Sequence, residues 1–292
     1  MNHFDGVIPA LVTPFTREGK INDRVLRQII EMNLEKGVTG FYVGGSTGEA
    51  LLLSQEERKY IVDIVSDETR GKAKLIAQIG SFATKHAIEL AEHAEKAGVE
   101  AISSVPPFYY QFKQDELKAY YHDLVKAVEL PMILYHVPSL AGVSLTAESI
   151  RELFQGTQIV GIKHTSYDLL HLQLLLDTYP NKVIINGHDE LYLASLTVGC
   201  QSSIGSTFNF MAEKFLLIDR LYKEGKIEEA RSIQNEVNEV VAVLLKIGVF
   251  QGVKAALALQ GIECGTCRRP FKPLTVEESE LLRKVLIKNG VV

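Results

Sequence analysis

Residues 131–186 read PMILYHVPSLAGVSLTAESIRELFQGTQIVGIKHTSYDLLHLQLLLDTYPNKVIIN, and this stretch decides the fold. Short apolar, β-branched runs at 132–135, 159–162 and 183–186 alternate with longer segments at 147–154 and 169–179, where apolar residues recur at three- and four-residue steps. Runs that short suit strands, whereas the three-and-four spacing lays one apolar stripe along a helix. Strand, helix and strand in that order mark a parallel βα unit. Working outward, the same alternation predicts strands at 7–12, 40–43, 75–79, 101–105 and 202–205, and helices at 23–35, 54–66, 85–97 and 115–127. Helix-start chemistry agrees with it. Ser54-Gln55-Glu56-Glu57 has the form of a capping box, and Thr146-Ala147-Glu148 sets an N-cap residue and an early acid before another helix.

Eight strands in βα alternation suit an α/β fold of the closed kind, a (β/α)8 TIM barrel over residues 1–225, because right-handed parallel crossovers can close into a ring that leaves no edge strand. An open doubly wound sheet is the alternative. Its usual nucleotide fingerprint is absent, since Gly44-Gly45-Ser46-Thr47-Gly48 lacks both the later glycine spacing and a P-loop lysine. Beyond Lys226 the strand signal stops, and 227–249, 252–260 and 276–288 read as helices. Residues 226–292 are therefore expected to form a C-terminal helical extension packed on the barrel.

The composition bounds the function. With 46% hydrophobic and 23% charged residues in 292, the chain can bury a large core and is not disordered. A net charge of -5 and no Lys/Arg stripe argue against nucleic acid as a partner. No apolar run approaches the ~20 residues that cross a bilayer, and the start of the chain lacks a signal-peptide pattern, so a soluble, cytoplasmic protein with no membrane partner is expected. Three cysteines, Cys200, Cys264 and Cys267, make a poor disulfide framework. The pair Cys264-Gly-Thr-Cys267 has zinc-knuckle spacing but no second Cys/His pair, so the thiols read as small hydrophobes. No metal and no cofactor are expected.

In such a barrel, function sits at the C-terminal ends of the strands. Lys163, directly after Val160-Gly161-Ile162, would project into the barrel mouth, where burial favours a neutral amine. A neutral amine can attack a ketone, and the resulting iminium withdraws electrons so that a neighbouring C–C bond can break or form without a metal. Position alone leaves open a lysine that snorkels outward or pairs with a loop acid. Tyr135 ends the run Met132-Ile133-Leu134 and should reach the same mouth, where its phenol could relay a proton or merely cap the core. Ser46 and Thr47, flanked by glycines, offer hydroxyls and backbone N–H groups suited to a carboxylate, or an ordinary glycine-rich turn.

Five segments then converge. Gly44-Gly45-Ser46-Thr47-Gly48-Glu49, Pro107-Phe108-Tyr109-Tyr110, the run from Tyr135-His136-Val137-Pro138 through Ser139-Leu140-Ala141-Gly142, Gly161-Ile162-Lys163 and Ile204-Gly205-Ser206-Thr207 together resemble the dihydrodipicolinate synthase/N-acetylneuraminate lyase family of barrel aldolases. The resemblance runs from Val7-Ile8-Pro9-Ala10 to Arg269-Pro270-Phe271. It implies that Lys163 is the Schiff-base lysine and Tyr135 the proton-relay tyrosine. Ser46 and Thr47 would hold the carboxylate of pyruvate. Tyr109 would be lent to a neighbouring subunit, and the assembly would be a homotetramer. Leu140 selects the branch, because family synthases place an arginine there for a second carboxylate and leucine cannot donate those hydrogen bonds. The lyase branch implies cleavage of a sialic acid, N-acetylneuraminate, to an amino sugar and pyruvate. Thr165, Gly187, Asp189, Glu190 and Ser206 would then face the hydroxylated tail. His136, His188 and Phe208 depart from the family's commoner residues and bear on the preferred sugar acid. Another pyruvate-dependent aldolase or dehydratase of the family is the competing enzyme reading, and a non-catalytic sugar-acid binder is the reading from a different class.

Overall fold

Eight short parallel strands carry the architecture: β1 (Gly6–Pro9), β2 (Gly40–Val43), β3 (Lys74–Gln78), β4 (Ala101–Ser104), β5 (Met132–His136), β6 (Ile159–His164), β7 (Val183–Asn186) and β8 (Ser202–Gly205). They pair in sequential order around a ring, β1-β8-β7-β6-β5-β4-β3-β2. The ring closes between β1 and β2, where Ala10 bridges Tyr42 and the Leu11 N–H donates to the Tyr42 carbonyl at 3.0 Å. The computed structural model describes residues 4–155 and 158–292. The helices are α1 (Asp23–Glu35), α2 (Gln55–Thr69), α3 (Thr84–Ala97), α4 (Gln114–Ala127), α5 (Pro138–Ala141), α6 (Ala147–Phe154), α7 (Leu169–Thr178), α8 (Tyr192–Thr197), α9 (Phe208–Lys223), α10 (Ile227–Ile247), α11 (Val249–Leu259) and α12 (Val276–Lys288). The chain is a (β/α)8 barrel with helices added at its C-terminal end. None of the described helices is long and apolar enough to cross a membrane.

Side-chain alternation splits the core in two. Ile8, Tyr42, Ile76, Ile133, Tyr135, Ile185 and Ile204 fill the barrel interior. Their neighbours Val7, Phe41, Leu75, Leu134, Ile162 and Ile184 face outward into the larger layer between strands and helices. Strands buried on both faces must be apolar at nearly every position, which is why the runs read as continuous rather than alternating. Both anticipated caps form: Ser54 and Glu57 exchange side chain-to-backbone bonds at the start of α2, and Thr146 Oγ1 accepts the Ser149 N–H at the start of α6.

Two features depart from the sequence reading. The first strand ends at Pro9 rather than residue 12, because the chain there leaves β8 for β2, and the Val12 N–H is taken by Asn209 Oδ1 at 3.1 Å. Helix α9 was not anticipated. Its first turns are buried all round at Phe208, Asn209, Phe210, Met211 and Ala212, and the backbone at Met211 is non-helical, so no 3.6-residue stripe is visible there. Asn209 also donates to the Ala10 and Ser206 carbonyls at 2.6 and 2.8 Å, which fastens the start of α9 to the closing strands.

Candidate active site

Strands β5 and β6 run one or two residues further than their apolar signal, and their register pairs Tyr135 with Lys163 and His136 with His164. Alternation then sends Tyr135 and Lys163 inward together. On the other side of β6, Gly161 lets that strand lie close against β7, since a Cβ on it would stand 2.1 Å from the Val183 carbonyl oxygen. Lys163 is only 5% exposed. Its Nζ lies 4.0 Å from the centre of the Tyr135 ring and 4.6 Å from that of Tyr42, two rings that meet edge to face.

These two tyrosines share one lysine but differ in their protons. Burial, followed by the neighbouring Tyr135, pushes the Tyr42 phenol well above its ordinary range, and its hydroxyl donates to Ser103 Oγ at 3.2 Å. Burial acts upward on Tyr135 as well. There the Lys163 charge and polar contacts from Ser46, Lys163 and Thr165 outweigh it and hold the phenol below its ordinary value. The Thr165 hydroxyl leans on that phenol without a hydrogen bond of ordinary geometry and is otherwise unpartnered.

Above the lysine opens a cavity of about 320 Å³, at the low end of small-molecule sites, which run about 300–1,000 Å³. Ser46, Thr47, Tyr135, Lys163, Thr165, Gly187, Asp189, Glu190 and Ser206 all line it. Thr47 Oγ1 and Ser206 Oγ share a hydrogen bond of 2.7 Å across the mouth. Gly187 packs against Thr165, and a Cβ there would fall 2.0 Å from Thr165 Oγ1.

The loop that carries Ser46 and Thr47 is held from below. Glu49, in left-handed backbone at φ 57°, receives the Lys254 ammonium of α11 at 2.6 Å and the Arg268 backbone N–H at 2.7 Å. Lys254 and Glu49 are both buried, and the Lys254 ammonium sits 4.3 Å from the centre of the Phe15 ring.

Comparison with known proteins adds the family. The model of the dihydrodipicolinate synthetase family matches residues 3–289. The chain belongs to that family. It is 39% identical to N-acetylneuraminate lyase of Rhizobium meliloti, over 95% of this chain and 92% of that protein. Among solved structures it resembles CdNal of Clostridium difficile in complex with mannosamine, with a TM-score of 0.94 and 40% identity over 98% of this chain and 99% of that one. It also resembles N-acetylneuraminate lyase of Fusobacterium nucleatum complexed with pyruvate, with a TM-score of 0.92 and 36% identity over 98% and 97% of the two chains.

Within this family member the anticipated residues take unequal places. Asp189 lines the cavity and is braced there, because its Oδ2 accepts both the backbone N–H and the hydroxyl of Thr207 at 2.7 Å. Burial raises its carboxyl to about 6 against those bonds. Glu190 accepts the Tyr167 hydroxyl at 2.6 Å and lies 3.3 Å from His188 Nδ1. Burial raises Glu190, but the His188 and Tyr167 contacts prevail and keep it below its ordinary range. Tyr109 stays out of its own chain's cavity. It is 83% exposed, in left-handed backbone at φ 82°, with its ring against Tyr110.

Of the three departures, Phe208 is buried against Phe215 outside the cavity, His136 points outward, and only His188 lines the site. Tyr167, whose ring stacks on His188 at 4.2 Å, was missed from the sequence, as were Val241, Leu244, Leu245, Val249 and Phe250, by which α10 and α11 wall the mouth. An aromatic four residues after Lys163 was the available signal for Tyr167. Nothing local marks the helix residues. Gln234 of α10 further ties the extension to the site, accepting the Leu193 N–H and donating to the Asp189 carbonyl.

Proposed function

We propose that this chain is a class I aldolase that cleaves N-acetylneuraminate reversibly to N-acetylmannosamine and pyruvate. The observation that carries the reading is the paired placement of Lys163 and Tyr135 at the floor of a hydroxyl-lined cavity. The Lys163 amine attacks the C2 ketone of the open-chain sugar acid, and the Tyr135 phenol gives its proton to the departing hydroxyl, so that water leaves an iminium and a Tyr135 phenolate behind. The Tyr135 phenolate takes the C4 hydroxyl proton as the C3–C4 bond breaks. The bonding pair moves into the iminium to form an enamine, and C4 departs as the aldehyde carbon of the amino sugar. The Tyr135 phenol protonates C3, and hydrolysis of the iminium releases pyruvate and the free amine while its proton returns to the Tyr135 phenolate.

Ser46 and Thr47 receive the carboxylate of the pyruvate moiety. Thr165, Asp189, Glu190 and Ser206 face the sugar hydroxyls, with Gly187 leaving room for the tail and Thr207 bracing the Asp189 carboxylate. The names of the relatives, one solved with pyruvate and one with mannosamine, support the choice of substrate. Tyr109 completes a neighbouring subunit's site in a homotetramer, a role its exposure and left-handed backbone suit. The barrel, residues 1–225, carries the chemistry, and residues 226–292 form the helical extension. The enzyme works in the cytoplasm, a compartment that suits its three free, buried thiols. Incubation with pyruvate and borohydride tests the mechanism. One reduced adduct per chain on Lys163 is expected, and an adduct on another lysine, or none in active protein, refutes it.

A further inference from the structure

Strands β5 and β6 present a second constellation on their opposite face. His136, His164 and His171, the last from α7, bring one ring nitrogen each to within 4.8 Å of one another. The His136 and His164 rings stack with planes 4° apart and centres 5.6 Å apart, and His171 meets His164 edge-on at 4.9 Å. None of the three lines the cavity above Lys163.

His164 supplies the decisive detail. It is 1% exposed, and its Nε2 lies 3.3 Å from the Asp168 carbonyl oxygen, an acceptor that places the ring proton on Nε2. Nδ1 then carries a bare lone pair, buried and without a hydrogen-bond partner. An unfilled buried acceptor is costly, and a histidine whose other nitrogen is anchored on a backbone carbonyl is how proteins aim an imidazole at a metal ion.

We propose that His136, His164 and His171 form a three-histidine site for a divalent transition ion of the Zn²⁺ class, with water as fourth ligand. Imidazoles alone suit Zn²⁺, Ni²⁺ or Cu²⁺ and do not suit the oxygen-seeking Mg²⁺ or Ca²⁺. Tetrahedral Zn²⁺ with Zn–N bonds of about 2.0–2.1 Å sets its nitrogens about 3.4 Å apart, so the rings must draw in by about an ångström. His171, only partly buried on α7, is the ring free to do so and the side from which the ion enters. The bound ion joins the ends of β5 and β6 to α7 directly behind Tyr135 and Lys163, and it stabilises the fold by mass action.

The test uses untagged full-length protein stripped by a chelator and then titrated with Zn²⁺ by calorimetry, with Co²⁺ absorption as the coordination readout. One Zn²⁺ per chain, a rise in melting temperature on binding and the visible spectrum of four-coordinate Co²⁺ are expected. His171→Ala should weaken Zn²⁺ binding at least tenfold and abolish that spectrum, with pyruvate release retained. His164→Gln, which keeps an amide donor toward Asp168, should do the same if His171→Ala does not fold. Unchanged Zn²⁺ affinity in the folded variants, or Co²⁺ that stays six-coordinate in the unmodified protein, overturns the proposal.

Discussion

Tyr42 and Tyr135 both turn a ring toward Lys163, at 4.6 and 4.0 Å, and removing one hydroxyl at a time separates proton transfer from packing. In Tyr135→Phe the ring stays against Tyr42 and Lys163, so the cavity keeps its shape and only the relay is lost. A positioned acid/base contributes about 10²–10⁴-fold, which is about 2.7–5.4 kcal/mol of barrel-mouth stabilisation in the transition state at ~1.36 kcal/mol per tenfold. Turnover should fall by that factor with little change in KM. The structure predicts the opposite for Tyr42→Phe. Burial and the adjacent Tyr135 hold the Tyr42 proton in place, and its hydroxyl is spent on Ser103, so the loss should be one hydrogen bond, about 0.5–1.5 kcal/mol of stability, with turnover within a few-fold. Steady-state pyruvate release, with circular dichroism as the folding control, decides between them. A Tyr135→Phe enzyme of near-normal turnover, or a Tyr42→Phe enzyme that loses a hundredfold, refutes the assignment.

Three further outcomes follow from other contacts. Lys254→Met leaves the Glu49 carboxylate buried without its ammonium, so urea unfolding should show a loss of about 3–5 kcal/mol, partly restored by adding Glu49→Gln; an unchanged midpoint would remove the pair from the account of the Ser46–Thr47 loop. Asp189 has a folded-state value of about 6 against an ordinary 3.8, so between them the folded state holds more protons than the unfolded chain. Its stabilising contribution is complete below 3.8 and is lost as pH rises through 6, by up to about 3 kcal/mol, and the difference in unfolding free energy between Asp189→Asn and the unmodified protein should show that slope. Leu140→Arg sets a charge at the rim of the cavity, where Leu140 is 66% exposed, and should cost lyase kcat/KM about tenfold (~1.4 kcal/mol); efficient condensation of pyruvate with aspartate semialdehyde by the unmodified protein would contradict the branch assignment.

The sequence by itself determined the barrel, because each βα unit is written in local periodicity: four buried positions for a strand, a three-and-four stripe for a helix, Ser54 and Thr146 for two helix starts. It also placed Lys163 and Tyr135, since a polar residue straight after a buried run can only stand at a strand's end. Tertiary structure decided what depends on neighbours far along the chain. The β5–β6 register, two residues longer than the apolar signal, put His136 beside His164 on the outer face and left His171 to arrive from the next helix, so no spacing motif could announce the cluster. Asp189 is braced by the backbone N–H and hydroxyl of Thr207 on the following strand-to-helix loop, and α9 carries Phe208 into the core against Phe215. The walls supplied by Leu245 and Phe250 come from an extension whose sequence reads only as amphipathic helix. Periodicity reports which face of an element is buried; what that face is buried against is fixed by packing between elements hundreds of residues apart, and the site is built from such contacts.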